Sequence, residues 1–115
     1  MKNQSNRPMR MSAKIQTAVS EILLNEYSDD PLIRDVSLSG FKSGGGVRFV
    51  QLFYHLREPS KRADTQKRLN TITPTVRMSL AKKIDQKYVP EIRFDYDDTL
   101  EKSARIEDLL KECLP

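Results

Sequence analysis

A single cysteine, Cys113, a single histidine, His55, and no tryptophan set the first limits on this 115-residue chain. One thiol forms no internal disulfide, which removes the usual reason to read so small a chain as a secreted, cross-linked scaffold. One cysteine and one histidine do not make a structural zinc site. Four glycines and six prolines are too few for a low-complexity chain, and no internal repeat is visible. No apolar run approaches the length of a membrane span. The first twenty residues carry Lys2, Arg7, Arg10 and Lys14 and no acid, a faint likeness to a transit peptide. They lack a signal peptide's apolar stretch, however, and Pro8 interrupts them. The expectation is a cytoplasmic protein of one domain, 1–115, with an ordered core at about 7–112. That length suffices to bury a core without cross-links.

Charge is unevenly placed. Residues 1–93 hold 17 basic and 9 acidic side chains, whereas 94–115 hold 3 basic and 7 acidic ones. Lys61, Arg62, Lys67, Arg68, Arg77, Lys82, Lys83 and Lys87 face only Asp64 and Asp85 over residues 60–88. A basic body with an acidic end suits a polyanionic partner; a solubilising Lys/Arg surface is the plainer reading of the charge alone.

Apolar spacing gives the elements. Asn6-Arg7-Pro8 reads as a helix start, followed by Met11, Ile15, Ala18, Val19, Ile22 and Leu23 at helical spacing, and Asp29-Asp30-Pro31 ends the run. Residues 35–42 alternate as a half-buried strand, with Val36 and Leu38 on one side and Ser37 and Ser39 on the other. Ser43 and the three glycines after it make a turn, and 47–56 form a second strand, so the pair reads as a hairpin. Ser60 is placed to cap a helix. Leu69, Ile72, Val76, Leu80 and Ile84 then form one stripe, but Pro74 lies within it. Proline cannot donate to the carbonyl four residues back, so the stripe predicts two helices meeting at a Thr73-Pro74-Thr75 corner, with Thr73 capping the second. Residues 91–97 alternate as a third strand, with Ile92, Phe94 and Tyr96 inward, and 98–113 read as a final helix whose apolar face includes Ile106, Leu109, Leu110 and Cys113.

The order helix, strand, strand, helix, kink, helix, strand, helix resembles an α+β KH-like (type II) domain, with a three-stranded sheet and its helices packed on one face. More specific stretches are similar to the ribosome-binding factor A family. They are Arg7-Pro8 with Arg10; Glu26 then Asp30-Pro31; Val36-Ser37-Leu38-Ser39-Gly40-Phe41; Val89-Pro90-Glu91-Ile92-Arg93-Phe94 with Tyr96-Asp97; and Leu100, Arg105-Ile106 and Leu109-Leu110. Together they cover residues 7 to 110. The chain departs from the family in carrying Ile72-Thr73-Pro74 where an Ala-x-Gly kink is usual, and three glycines in its hairpin. The resemblance implies a non-catalytic, monomeric factor without cofactors. Its partners would be the small ribosomal subunit and its 16S rRNA, near the decoding region and the 5′ terminal helix, in late rRNA maturation and cold adaptation. No membrane or small-molecule substrate is implied.

The residues that point to RNA are cations around the corner. Lys67, Arg68, Arg77, Lys82, Lys83 and Lys87 flank Thr73, Pro74 and Thr75, where a helix start would offer free N–H groups to phosphate. Arg7, Arg10 and Lys14 on the first helix are candidates to extend that surface. The glycine run lacks the Lys-Ser/Thr ending of a nucleotide loop and joins two strands, so it reads as a plain turn. Asp95, Asp97 and Asp98 offer no convergent metal site, and Asp98 reads as a helix cap. His55 has no partner for a triad, and Cys113 reads as a small core residue. An enzyme thus has no constellation behind it. The alternative from a different class is a protein–protein adaptor that uses the acidic last helix or a sheet edge.

Overall fold

A computed structural model describes residues 2–44, 48–84 and 89–99, together with the side chains from Met9 onward in the first of these segments. The elements are helix α1 (Lys2–Glu26), strands β1 (Ser37–Gly44) and β2 (Phe49–His55), helix α2 (Arg62–Lys83) and strand β3 (Glu91–Tyr96). Single 3-10 turns at Ile33–Asp35 and Pro59–Lys61 lead into β1 and α2. The final helix expected from residue 98 lies outside the described residues except at its start.

The sheet has the order β1-β2-β3. β1 and β2 are antiparallel, and β2 and β3 are parallel. The parallel pair is possible because α2 carries the chain back across the sheet, as a parallel connection requires. One face of the sheet is buried: Val50, Leu52 and Tyr54 of β2 and Ile92 and Phe94 of β3. Ile15, Val19, Ile22 and Leu23 of α1 and Leu69, Ile72, Val76 and Leu80 of α2 close over it. α1 lies over β1, α2 over β3, and the helices touch each other. The period-two and helical stripes of the sequence therefore meet in one core.

β1 does not alternate simply. Its register with β2 slips at Ser39, so Leu38 pairs with Tyr54 and Phe41 with Leu52, and both β1 residues pack against the core. An extra residue at a bulge swings the following side chains to the opposite face. Ser39 Oγ donates to Asp97 Oδ2 at 2.8 Å.

Three local expectations are corrected. α1 starts at Lys2 and runs through Pro8 rather than beginning at Asn6–Pro8. So near a helix start, the missing N–H deprives one carbonyl, that of Gln4, of its donor, and the long buried stripe downstream holds the helix. Ser60 is not a cap: it sits inside the 3-10 turn, and no side chain caps α2. After β3, Asp97 Oδ1 accepts the Thr99 N–H at 3.0 Å, and the helix turn that Asp98 was expected to cap lies outside the described residues.

The third correction concerns the corner, because α2 is one continuous helix with Pro74 inside it. Proline removes the bond to the Asn70 carbonyl, but it does so on the exposed side of the helix, where water can reach that carbonyl. Leu69, Ile72, Val76 and Leu80, on both sides of Pro74, are 0–5% exposed and anchor both halves to the same sheet. Thr73 Oγ1 also donates to the Leu69 carbonyl at 2.6 Å, so Thr73 acts as an interior helix residue rather than as a cap.

Candidate nucleic-acid interface

The two helices run antiparallel, and polar pairs mark their seam. Lys83 Nζ lies 3.0 Å from Glu21 Oε2, Ser79 Oγ donates to Glu26 Oε1 at 2.8 Å, and Arg68 Nε donates to Asp30 Oδ2 at 2.7 Å. Tyr27 directly follows α1, and burial is the largest of the influences that raise its phenol above the ordinary value. Partners climb along α1 and its following turn as they fall along α2.

At the far end of this seam an open cleft of about 480 Å³ separates α1 from the end of α2. Ala13, Thr17 and Ala18 of α1 and Ile84 after α2 form its smaller walls, with Lys14 on one side and Lys83 on the other. Arg10 precedes Lys14 by one helical turn and therefore lies on the same side of α1. Lys82 adjoins Lys83, and Arg10, Lys14, Lys82 and Lys83 are all exposed. The fold thus brings cations from the two ends of the sequence's basic region to one place. The Lys83–Glu21 pair is solvent-exposed, and such pairs contribute about 1 kcal/mol or less, so it does not withdraw Lys83 from an incoming phosphate.

Other residues of the sequence-based site have structural partners. Arg68 is held by Asp30, whose other oxygen accepts the N–H groups of Leu32 (3.0 Å) and Ile33 (3.2 Å). Arg77 donates from Nε to the Pro90 carbonyl and from Nη2 to the Val89 carbonyl, both at 3.1 Å, and so fixes the entry to β3 against α2. Thr73 is spent on the Leu69 carbonyl. Lys67, Pro74 and Thr75 are exposed on α2. With α2 continuous, however, there is no helix start at Pro74 to offer free N–H groups. Lys87 and the Arg7 side chain lie outside the described residues. The sequence reading did not place Ala13, Thr17, Ala18 or Ile84 in the site; Ala18 and Ile84 were visible only as members of the apolar stripes, and Ala13 and Thr17 gave no signal until the helices were paired.

Arg77 gives a clean structural test. Arg77→Lys keeps the charge but loses the planar fork that reaches two carbonyls at once. The expected result is a loss of about 1–2 kcal/mol in urea unfolding, with retained net charge. An unchanged midpoint would show that the two contacts contribute nothing to stability.

The three aspartates near the end of β3 are each engaged. Asp95 Oδ2 accepts from Gln51 Nε2 at 2.7 Å and pairs with Arg93 Nε at 3.0 Å. Asp97 is bonded to Ser39 and Thr99, and Asp98 also has an interaction. Among the described residues no group of His, Cys, Asp or Glu is arranged to hold a metal, and no helix is long and apolar enough to cross a membrane. On the β3 side, Tyr54 OH donates to Gln66 Oε1 at 2.7 Å, and Gln66 Nε2 donates to the Phe94 carbonyl at 2.7 Å. These bonds satisfy a core phenol whose titration is raised mainly by burial.

Fold and surface together define a KH-like α+β domain that carries its basic cleft on the helical layer. The model of the ribosome-binding factor A family matches residues 7–110. The chain is 31% identical over 110 residues to ribosome-binding factor A of Coxiella burnetii, covering 96% of this chain and 92% of that one. It is 33% identical over 107 residues to its namesake from Halothermothrix orenii, covering 92% and 87%. The crystal structure of ribosome-binding factor A from Thermus thermophilus superimposes with a TM-score of 0.66 at 13% identity, over 76% of this chain and 92% of that one, a likeness of fold. A solution structure from Thermotoga maritima, described under the same factor's name, gives 0.64 at 26% identity, over 76% and 83%. The chain belongs to the ribosome-binding factor A family.

Proposed function

We propose that the protein is a non-catalytic ribosome assembly factor. In this reading it binds the small ribosomal subunit through the 16S rRNA, as a cytoplasmic monomer, and assists late maturation of that rRNA, including its 5′ end and including growth in the cold. The observation that carries the reading is the cleft in which Lys14 of α1 faces Lys83 of α2, with Arg10 and Lys82 beside it. Cations on two rigid helices suit the phosphate backbone of a folded RNA, and phosphate contacts position a protein without demanding a base sequence.

The test is co-sedimentation with purified small and large subunits at low and moderate salt. The expected result is selective pelleting with the small subunit that weakens as salt rises, because each phosphate neutralised releases counterions. The Lys14→Glu, Lys82→Glu, Lys83→Glu triple variant is expected to fold, since all three positions are exposed, and to bind about tenfold or more weakly. Equal binding to both subunits, or a triple variant that binds like the wild type, would overturn the proposal. Capture of a protein partner that survives ribonuclease, with neither subunit bound, would favour the adaptor instead.

A further inference from the structure

At the opposite end of α2, roughly 30 Å away along a 22-residue helix, lies a second and larger hollow, of about 700 Å³. It is bounded by the 3-10 turn Ile33–Asp35, the end of β2 and the first turn of α2. Arg34, Arg57 and Lys61 contribute cations to its wall. Thr65 belongs to the same wall, is 1% exposed, and its Oγ1 has no hydrogen-bond partner. A hydroxyl buried without a partner costs about 1–3 kcal/mol, so its presence here points to an atom that binds from outside the chain.

Two acids also line the hollow. Asp35 Oδ2 accepts the N–H groups of Arg57 (3.1 Å) and Glu58 (3.5 Å), and Glu58 lies 3.7 Å from Lys61 Nζ. Arg34 and Arg57 pair with no carboxylate among the described residues. No side chain caps the start of α2, although Asp64 lies in its first turn. Unpaired guanidinium groups, an uncapped helix start and an orphaned hydroxyl donor share one chemistry, that of an anion with several acceptor oxygens.

We propose that this hollow binds a phosphate group, and that in the assembled complex the phosphate belongs to an RNA backbone. The source of the phosphate rests on the function proposed above, whereas the site itself does not. The two basic places would then grip RNA at points about one α2 length apart.

The experiment has two arms, both on the full chain. In the first, inorganic phosphate is titrated at constant ionic strength and followed by amide shifts. Saturable shifts are expected at Arg57 and at 61–65, weakened about tenfold by Thr65→Val, which removes only the hydroxyl donor. Shifts that do not saturate, or a Thr65→Val protein that binds phosphate as the wild type does, would overturn the site. In the second arm, Arg34→Ala with Arg57→Ala is tested for small-subunit binding. The expected result is a three- to tenfold weaker association and a salt slope reduced by about 1–2. Phosphate binding with unchanged subunit affinity and slope would overturn the RNA assignment. A wild-type chain that binds phosphate here but no subunit would support the hollow and overturn the assembly-factor reading.

Discussion

Pro74→Ala is expected to stabilise the protein by about 1–3 kcal/mol and to raise its thermal midpoint by several degrees or more. Pro74 is exposed inside α2, where its ring removes the N–H that would bond the Asn70 carbonyl. Alanine restores that donor, has the best helical propensity, and leaves the buried stripe of Leu69, Ile72, Val76 and Leu80 untouched. The sign of the change separates two structures. Were the chain broken here, with Thr73 as a cap and Pro74 opening a second helix, proline would be well placed and its removal neutral or harmful. A midpoint that falls would therefore contradict a continuous α2. Calorimetry of the two proteins decides between them.

Asp30→Ala is expected to have the largest effect in the opposite direction, a loss of about 2–4 kcal/mol in urea unfolding. The Asp30 side chain is 15% exposed and ties together three pieces of chain. One oxygen accepts two N–H groups at the turn after α1, and the other receives Arg68 of α2. Removing it leaves two backbone donors without their acceptor and a half-exposed guanidinium without its partner. Asp30→Asn, which keeps an oxygen for the turn but surrenders the ion pair, should fall between the two. A variant as stable as the wild type would mean that the turn and α2 are held by apolar contact alone.

The same carboxylate predicts a pH dependence. Burial pushes the Asp30 titration upward, but the Arg68 guanidinium and the N–H groups of Ile33 and Leu32 outweigh it and hold the group below the ordinary value of 3.8. A carboxyl whose folded value is depressed contributes stability that is present above the unfolded value and is lost as pH falls through the folded one. Asp97 is depressed in the same sense, chiefly by its bonds to Thr99 and then to Ser39. The wild type should therefore lose stability on acidification below about pH 4, and the gap between it and Asp30→Ala should narrow over the same range.

Much of the fold was legible because burial leaves a period. Ile92 and Phe94, or Val50, Leu52 and Tyr54, alternate because one face of the sheet is covered, and the helical stripes are the other half of that core. What was not legible depended on partners distant in sequence. Pro74 obeys a local rule that long-range packing overrides. Arg68 and Arg77 look like any other cations until Asp30, 38 positions away, and the Val89 and Pro90 carbonyls, 12 and 13 away, come to meet them. The slip at Ser39 exists only relative to β2. The basic cleft was half legible: its lysines were visible as charge, but the pairing of Lys14 with Lys83 across it needed the antiparallel helices.

Because β3 joins β2 in parallel, with Phe53 opposite Asp95, the sheet cannot be completed until the chain has made its whole crossover. The β1–β2 hairpin closes over a short loop, whereas the second pairing must close one of about forty residues and so bears a larger entropic toll. During synthesis the hairpin and α1 emerge first. The edge of β2 then stays open, as an unpaired ladder, until α2 and β3 have left the ribosome. The order of translation thus makes β3 the closing strand, and the nascent protein is most exposed to wrong pairing just before it arrives.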